Sequence, residues 1–171
     1  MNSAMMEVET KLPFAAAEVT AFVENEADLL DTQRFEDWCA LYADDGAYWV
    51  PANRKQKDWL THVSLYYDEK HTMKTRVQRL QHPMIHCQEP ASHCVRVLSN
   101  VRIESVSDDG SECTVRSKFI MLEDRVGAER RVFGGSYTHR LRREGDGFRI
   151  VLKRVDLTNC NATLPMLTQP F

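Results

Sequence analysis

Nowhere does this chain hold the run of ~18 consecutive apolar residues that a membrane-spanning helix needs, and its opening MNSAMMEVETKLPF has no apolar core of a secretory signal. A soluble, cytoplasmic protein is expected. Positive charge is not in excess either. The 22 Lys and Arg are interleaved with 25 Asp and Glu for a net charge of −3, so no basic face that could collect a phosphate backbone is expected, and nucleic-acid binding is not anticipated. Cysteine is sparse and odd in number. Cys39, Cys87, Cys94, Cys113 and Cys160 have irregular spacing that makes no disulfide framework and suits a reducing compartment; they read as small buried or half-buried side chains.

Motifs that carry chemistry are missing as well. No Gly-x-Ser-x-Gly elbow occurs, and Gly134-Gly135-Ser136 falls in mid-strand rather than at a strand-to-helix turn. Phosphate loops and dinucleotide fingerprints are absent. With no internal repeat, low-complexity tract or linker, 171 residues are expected to form one domain over 1–171. Residues 1–13 read as a flexible arm.

What is present is a change of period. Val19, Phe22, Val23, Ala27 and Leu30 predict a helix from about Ala15 to Leu30, and a second helix around Thr32 to Tyr42 turns Phe35, Trp38, Cys39 and Tyr42 inward, with Asp31 as its N-cap. The stretch LYADDGAYWVP then switches to period two, so Asp44, Asp45 and Gly46 read as a turn before a strand at Ala47–Pro51. A short strand near Val63–Tyr66 and a helix over 68–81, stopped by Pro83, come next. From His93 onward four strands, HCVRVLSNVRIESV, ECTVRSKFIMLED, RRVFGGSYTHRLRR and GFRIVLKRVDL, are separated by Gly- and Asp-rich turns and predict consecutive antiparallel hairpins. Helices first and a meander afterwards give an α+β fold in which one curved sheet wraps over the helices. The tail CNATLPMLTQPF, residues 160–171, is too apolar to be simply solvated and is expected to pack at a subunit contact.

In this order, RFEDWCALYADDGAYWVP, YYDEKHTMKTRVQRLQHPMIHCQEPASHCVRVLSNVRIE, RVFGGSYTHRLRR and FRIVLKRVDLTNCNATLPMLTQPF resemble the small (beta) subunit of the Rieske-type aromatic-ring-hydroxylating dioxygenases. The resemblance runs from about Glu18 to Phe171 and implies an NTF2-like (SnoaL-like) cone, with N-terminal helices packed on one strongly curved, mixed but mostly antiparallel sheet. It also implies a structural role in the oxidation of an aromatic compound. The small subunit would hold catalytic large (alpha) subunits in an alpha3beta3 assembly, and the large subunit would carry the Rieske [2Fe–2S] cluster and the mononuclear non-haem iron. No catalytic, cofactor-binding or metal-ligating residue is carried over to this chain.

The candidate sites are weighed on their own residues. A Rieske cluster needs a Cys-x-His pair and a Cys-x-x-His pair, and neither occurs. His86-Cys87 and His93-Cys94 are adjacent residues, which a strand points to opposite faces. His82 and His86 lie four apart, but Pro83 between them opposes a regular helix, so they read as hydrogen-bonding groups near a subunit contact. Asp44 or Asp45 with His86 or His139 is the alternative, a stand-alone dehydratase or isomerase in which a carboxylate and an imidazole move protons. Against it, Asp-Asp-Gly is ordinary turn chemistry. Lys70, Lys74, Arg76 and Arg79 line one helix face, with Arg96, Arg102 and Arg116 expected on a common side of the strands, where they could neutralise carboxylates of a partner. Tyr137 and His139, in phase with Phe133 and Gly135, read as one sheet face that lines a pocket or a trimer contact.

Overall fold

The computed structural model describes residues 14–82 and 89–171. Within them the order is α1 (Ala16–Asp31), α2 (Phe35–Ala40), β1 (Tyr42–Pro51), β2 (Ser64–Glu69), α3 (Lys70–Leu80), β3 (His93–Val106), β4 (Glu112–Asp124), β5 (Arg131–Glu144) and β6 (Gly147–Leu157). The strands join in one sheet of order β2-β1-β6-β5-β4-β3. β1 and β6 pair parallel and every other neighbour pairs antiparallel, so the expected meander and mixed sheet are present.

Period two runs unbroken through β4. Cys113, Val115, Ser117, Phe119, Met121 and Glu123 are buried and the residues between them are not, which gives the sheet one covered and one open face. Register shifts in β1, β3 and β5 insert extra residues on one strand of a pair, and such bulges bend and coil a sheet. α1 covers the concave face with Val19, Val23, Ala27 and Leu30 on one stripe and packs against β3. Phe35, Trp38, Tyr42, Tyr48 and Val50 continue that core, and each such buried side chain is worth ~1.5–3 kcal/mol.

Several boundaries differ from the sequence reading. The acidic triplet is not a turn: α2 hands over to β1 at Leu41, and Asp44, Asp45 and Gly46 lie inside the strand. Tyr42 pairs with Ile150 but Ala47 with Leu152, so the triplet is swallowed as a bulge. Gly46 permits this because a Cβ there would stand 2.6 Å from the Ile150 carbonyl oxygen. α2 is shorter than expected and is preceded by Gln33 at φ 58°. Its N-cap position is Arg34, which makes no side-chain capping bond. Asp31 ends α1 instead, and its carboxylate accepts the Arg96 backbone N–H at 2.7 Å and the Arg96 guanidinium. Asp68 and Glu69 belong to β2, paired with Tyr48 and Ala47, because the ladder extends further than the helix-forming side chains suggest. Residues 1–13, Pro83, His86 and Cys87 lie outside the described residues.

The arginines of β3 and β4 do not share a side. A register shift between Ser99 and Arg102, with Asn100 at φ 53°, reverses the alternation. Arg96 is 8% exposed on the concave face, while Arg102 is exposed and Arg116 pairs with Glu104 on the other. On α3, Lys70 donates to the Tyr42 carbonyl and to Asp44, and Arg76 pairs with Asp68 and lies over the Tyr66 ring. Lys74 and Arg79 stay exposed. Cys39, Cys94, Cys113 and Cys160 are buried free thiols.

Candidate functional site inside the cone

The covered face of the sheet carries charge where aliphatic side chains would pack more simply. Glu26 sits on the buried stripe of α1, three residues after Val23, and His139 and Lys153 stand opposite one another in the β5–β6 pairing. All three are at most 1% exposed. One Glu26 oxygen accepts both the Trp38 indole N–H and the Lys153 ammonium at 2.9 Å, and the other lies 2.9 Å from His139 Nε2. Lys153 also donates to the Phe171 carbonyl oxygen at 2.8 Å and rides 4.4 Å over the Tyr137 ring.

Burial pushes the Glu26 carboxyl up, but Lys153 and His139 outweigh it and hold the group at about 2. Burial pulls the Lys153 ammonium down, with Glu26 opposing. Burial likewise lifts the hydroxyls of Tyr42, Tyr48 and Tyr137 above the usual phenol range. With Nε2 engaged by the Glu26 carboxylate, His139 keeps Nδ1 as its second polar ring atom. Nδ1 has no partner, nor do the Tyr42 hydroxyl and Ser117 Oγ.

Such a carboxylate–imidazole pair could serve as a base if a substrate reached Nδ1, but the tail occupies the interior. Met166 and Leu167 carbonyls are held at the rim by Arg131 and the Tyr66 hydroxyl, each at 2.9 Å. The chain then turns inward: Arg96 donates to the Pro170 carbonyl, and the Phe171 N–H donates to the Tyr48 hydroxyl at 2.9 Å. The Phe171 ring, 1% exposed, meets Phe133 edge-on at 5.1 Å.

The residues weighed from the sequence are dispersed. Asp44 and Asp45 are exposed on β1, the first bonded to Lys70 at 2.9 Å and the second to Arg142 through two bonds of 2.9 Å. Those bonds hold both carboxyls below the usual range. His139 faces Glu26 instead, so no dyad of Asp44 or Asp45 with His139 forms. Tyr137 and His139 do share the inner face with Phe133, and all three are buried. His93 and Cys94 point apart, one exposed and one buried. A cleft of about 610 Å³ opens outside the cone, where Asp44, Lys70 and Lys74 meet Cys39, Val77 and Arg149.

Glu26 and Lys153 escaped the sequence reading. The signal was available: an acid on the apolar stripe of α1, and a lysine in phase with Val155 and Leu157 on β6, two opposite charges at inward positions. Among the described residues no group of three or more His, Cys, Asp or Glu could hold a metal ion. The donor set of a Rieske cluster is missing from the sequence, so this chain does not fit that group.

The outer face is composed differently. Val95, Val97, Ile120 and Val132 are 58–65% exposed, with Val97 directly opposite Ile120 and Leu122 opposite both Val95 and Val132. No helix of the described residues is long and apolar enough to cross a membrane.

Residues 25–163 match the family model described as ring hydroxylating beta subunit. The small oxygenase component of a p-cumate 2,3-dioxygenase system from Pseudomonas putida is 34% identical over 140 residues, covering 81% of this chain and 76% of the relative. A benzene 1,2-dioxygenase subunit beta, also from P. putida, is 32% identical over 148 residues, 81% and 79% of the two chains. Among solved structures, the beta subunit of the benzoate 1,2-dioxygenase from Burkholderia mallei superposes with a TM-score of 0.72 at 26% identity, over 88% of this chain and 95% of that one. The chain is therefore an NTF2-like α+β cone that belongs to the family of ring-hydroxylating dioxygenase beta subunits.

Proposed function

We propose that this chain is the structural small subunit of an oxygenase that adds oxygen to an aromatic compound in its catabolism, and that it contributes no catalytic group. One observation carries the reading: the interior is closed by the chain's own tail and its buried charges are paired with one another, while apolar side chains stand in register on the open face of the sheet. Contiguous exposed apolar surface is the mark of a protein contact. The partner is a large subunit, and the assembly holds three copies of each. The [2Fe–2S] cluster and the mononuclear iron belong to that large subunit. The exposed Pro165 and Met166 of the tail extend the contact, and the free thiols suit a cytoplasmic setting.

Native mass spectrometry with iron analysis, on protein purified gently from its own cells, tests this. Equal copies of this chain and a larger iron-bearing chain are expected. An iron-free homo-oligomer with no larger partner would refute it and turn attention to the Glu26–His139 pair as a catalytic dyad.

A further inference from the structure

The inside of the cone holds Pro170 and Phe171 in the way a binding site holds a ligand. Arg96 from β3 donates to the Pro170 carbonyl, Tyr48 from β1 accepts the Phe171 N–H, and Lys153 from β6 donates to the Phe171 carbonyl. The ring rests on Phe133 from β5, with Tyr66 from β2 at 6.5 Å. Five strands thus converge on one acylated aromatic residue, and Arg96, Tyr48, Lys153 and Phe133 are each no more than 8% exposed.

Simple packing of an apolar tail would not call for this. A buried guanidinium and a buried ammonium are costly unless each is paired and oriented, and here Asp31 holds the first while Glu26 holds the second. The result is two cations aimed at successive carbonyls with an aromatic slot between them. His139 Nδ1 and the Tyr42 hydroxyl, on fully buried residues of the same interior, have no partner, so the cavity has hydrogen-bonding capacity that the tail leaves unused.

We propose that the cone is a built binding site for an N-acylated aromatic amino acid or its amide, filled in cis by Pro170 and Phe171. The recognition elements are an acyl oxygen on Arg96, an N–H on Tyr48, a ring on Phe133 and a second carbonyl oxygen on Lys153. This assignment is independent of the subunit role, because it concerns the inner face alone.

The test uses the chain shortened by Pro170 and Phe171, which vacates Arg96, Tyr48, Lys153 and the ring slot together, in whatever complex it purifies, titrated calorimetrically with N-acetyl-L-phenylalaninamide, toluene and N-acetylglycinamide. The variant should bind the phenylalaninamide with a Kd below about 1 mM and at least about tenfold more tightly than either fragment, while the unaltered chain binds none of them. Toluene binding as tightly as the amide would reduce the site to a bare apolar cavity and overturn the proposal. So would a folded variant that binds nothing. Should the shortened chain not fold alone, the amide added during refolding should recover it, since a native-state ligand shifts folding by mass action; no recovery likewise overturns the proposal.

Discussion

On the inner face of the sheet Lys153 and His139 stand where strand alternation would place aliphatic residues, whereas on the outer face Val95, Val97, Ile120 and Val132 stand where polar residues would meet water. Both departures run against the usual partition of side chains, and they have opposite meanings. Inside, every ionised group has found a partner within the chain, so the departure is self-contained. Outside, the apolar residues have none, so the departure requires something beyond the chain. The inner face bears on whether this subunit folds, and the outer face is where its contact with other chains is proposed.

The strongest way to break the contrast is to unpair the inner cluster. Glu26→Ala leaves the Lys153 ammonium buried without its carboxylate and removes the acceptor of the Trp38 indole. A loss of about 3–5 kcal/mol is expected, read by denaturant unfolding. A Glu26→Ala midpoint close to that of the unaltered chain would mean that water reaches the cluster and that the interior is less closed than its burial implies.

Acid gives the same contrast without mutation. Glu26 titrates at about 2 in the folded chain against 4.5 when free, so its lowered value stabilises the fold fully above about pH 4.5. That contribution drains away as the pH falls toward 2, about 3 kcal/mol in all. Lys153, whose folded value is also lowered by burial, acts with the opposite sign of penalty: its effect is a gain in stability as the pH rises from its folded value toward 10.5. Unfolding free energy measured between pH 5 and pH 2 should therefore fall steeply in the unaltered chain, and the slope should flatten in Glu26→Gln.

These two experiments probe the part of the molecule that the sequence concealed. The order of helices and strands was legible because α1 and β4 hold clean periods of 3.6 and 2 over their whole lengths. The bulges were not legible, since inserting residues into a strand depends on its neighbour: only the approach of the Ile150 carbonyl to Gly46 turns an apparent Asp-Asp-Gly turn into part of β1. The same blindness put Arg96 on the side of Arg102, where the shift at Asn100 separates them. The interior cluster was hidden for another reason. Glu26, His139 and Lys153 are up to 127 positions apart, and a charge on an apolar stripe reads as an exception until its partner's inward phase is recognised. Exposed apolar residues on β3 to β5 were visible as hydrophobic strand residues, but not as outward-facing ones.

A smaller stability effect, with a large effect on assembly, should follow on the outer face. Val97→Asp and Ile120→Lys together put an ion pair at directly opposed positions, so the isolated chain should change by no more than about 0.5 kcal/mol. Its complex with the large subunit or with further copies should be lost or weakened in native mass spectrometry. Unchanged assembly would free this face of any contact and leave the exposed valines unexplained.

The least disturbance is expected at Asp44 and Asp45, and it discriminates most sharply between a scaffold and a catalyst. Both carboxylates are exposed, and their bonds to Lys70 and Arg142 are surface ion pairs, a class that contributes little because water and salt screen it. Replacing both by alanine removes no buried contact and leaves Gly46 to shape the bulge. The melting temperature should shift only slightly, and turnover per assembled complex should stay at the unaltered rate. Normal assembly with abolished turnover would place a working carboxylate on β1 and reverse the reading of this chain as a scaffold. Weakened assembly with normal turnover would extend the contact surface to the cleft beside Lys70 and Lys74, and the sheet's two faces would then be joined at that rim by a third region that serves the outer one.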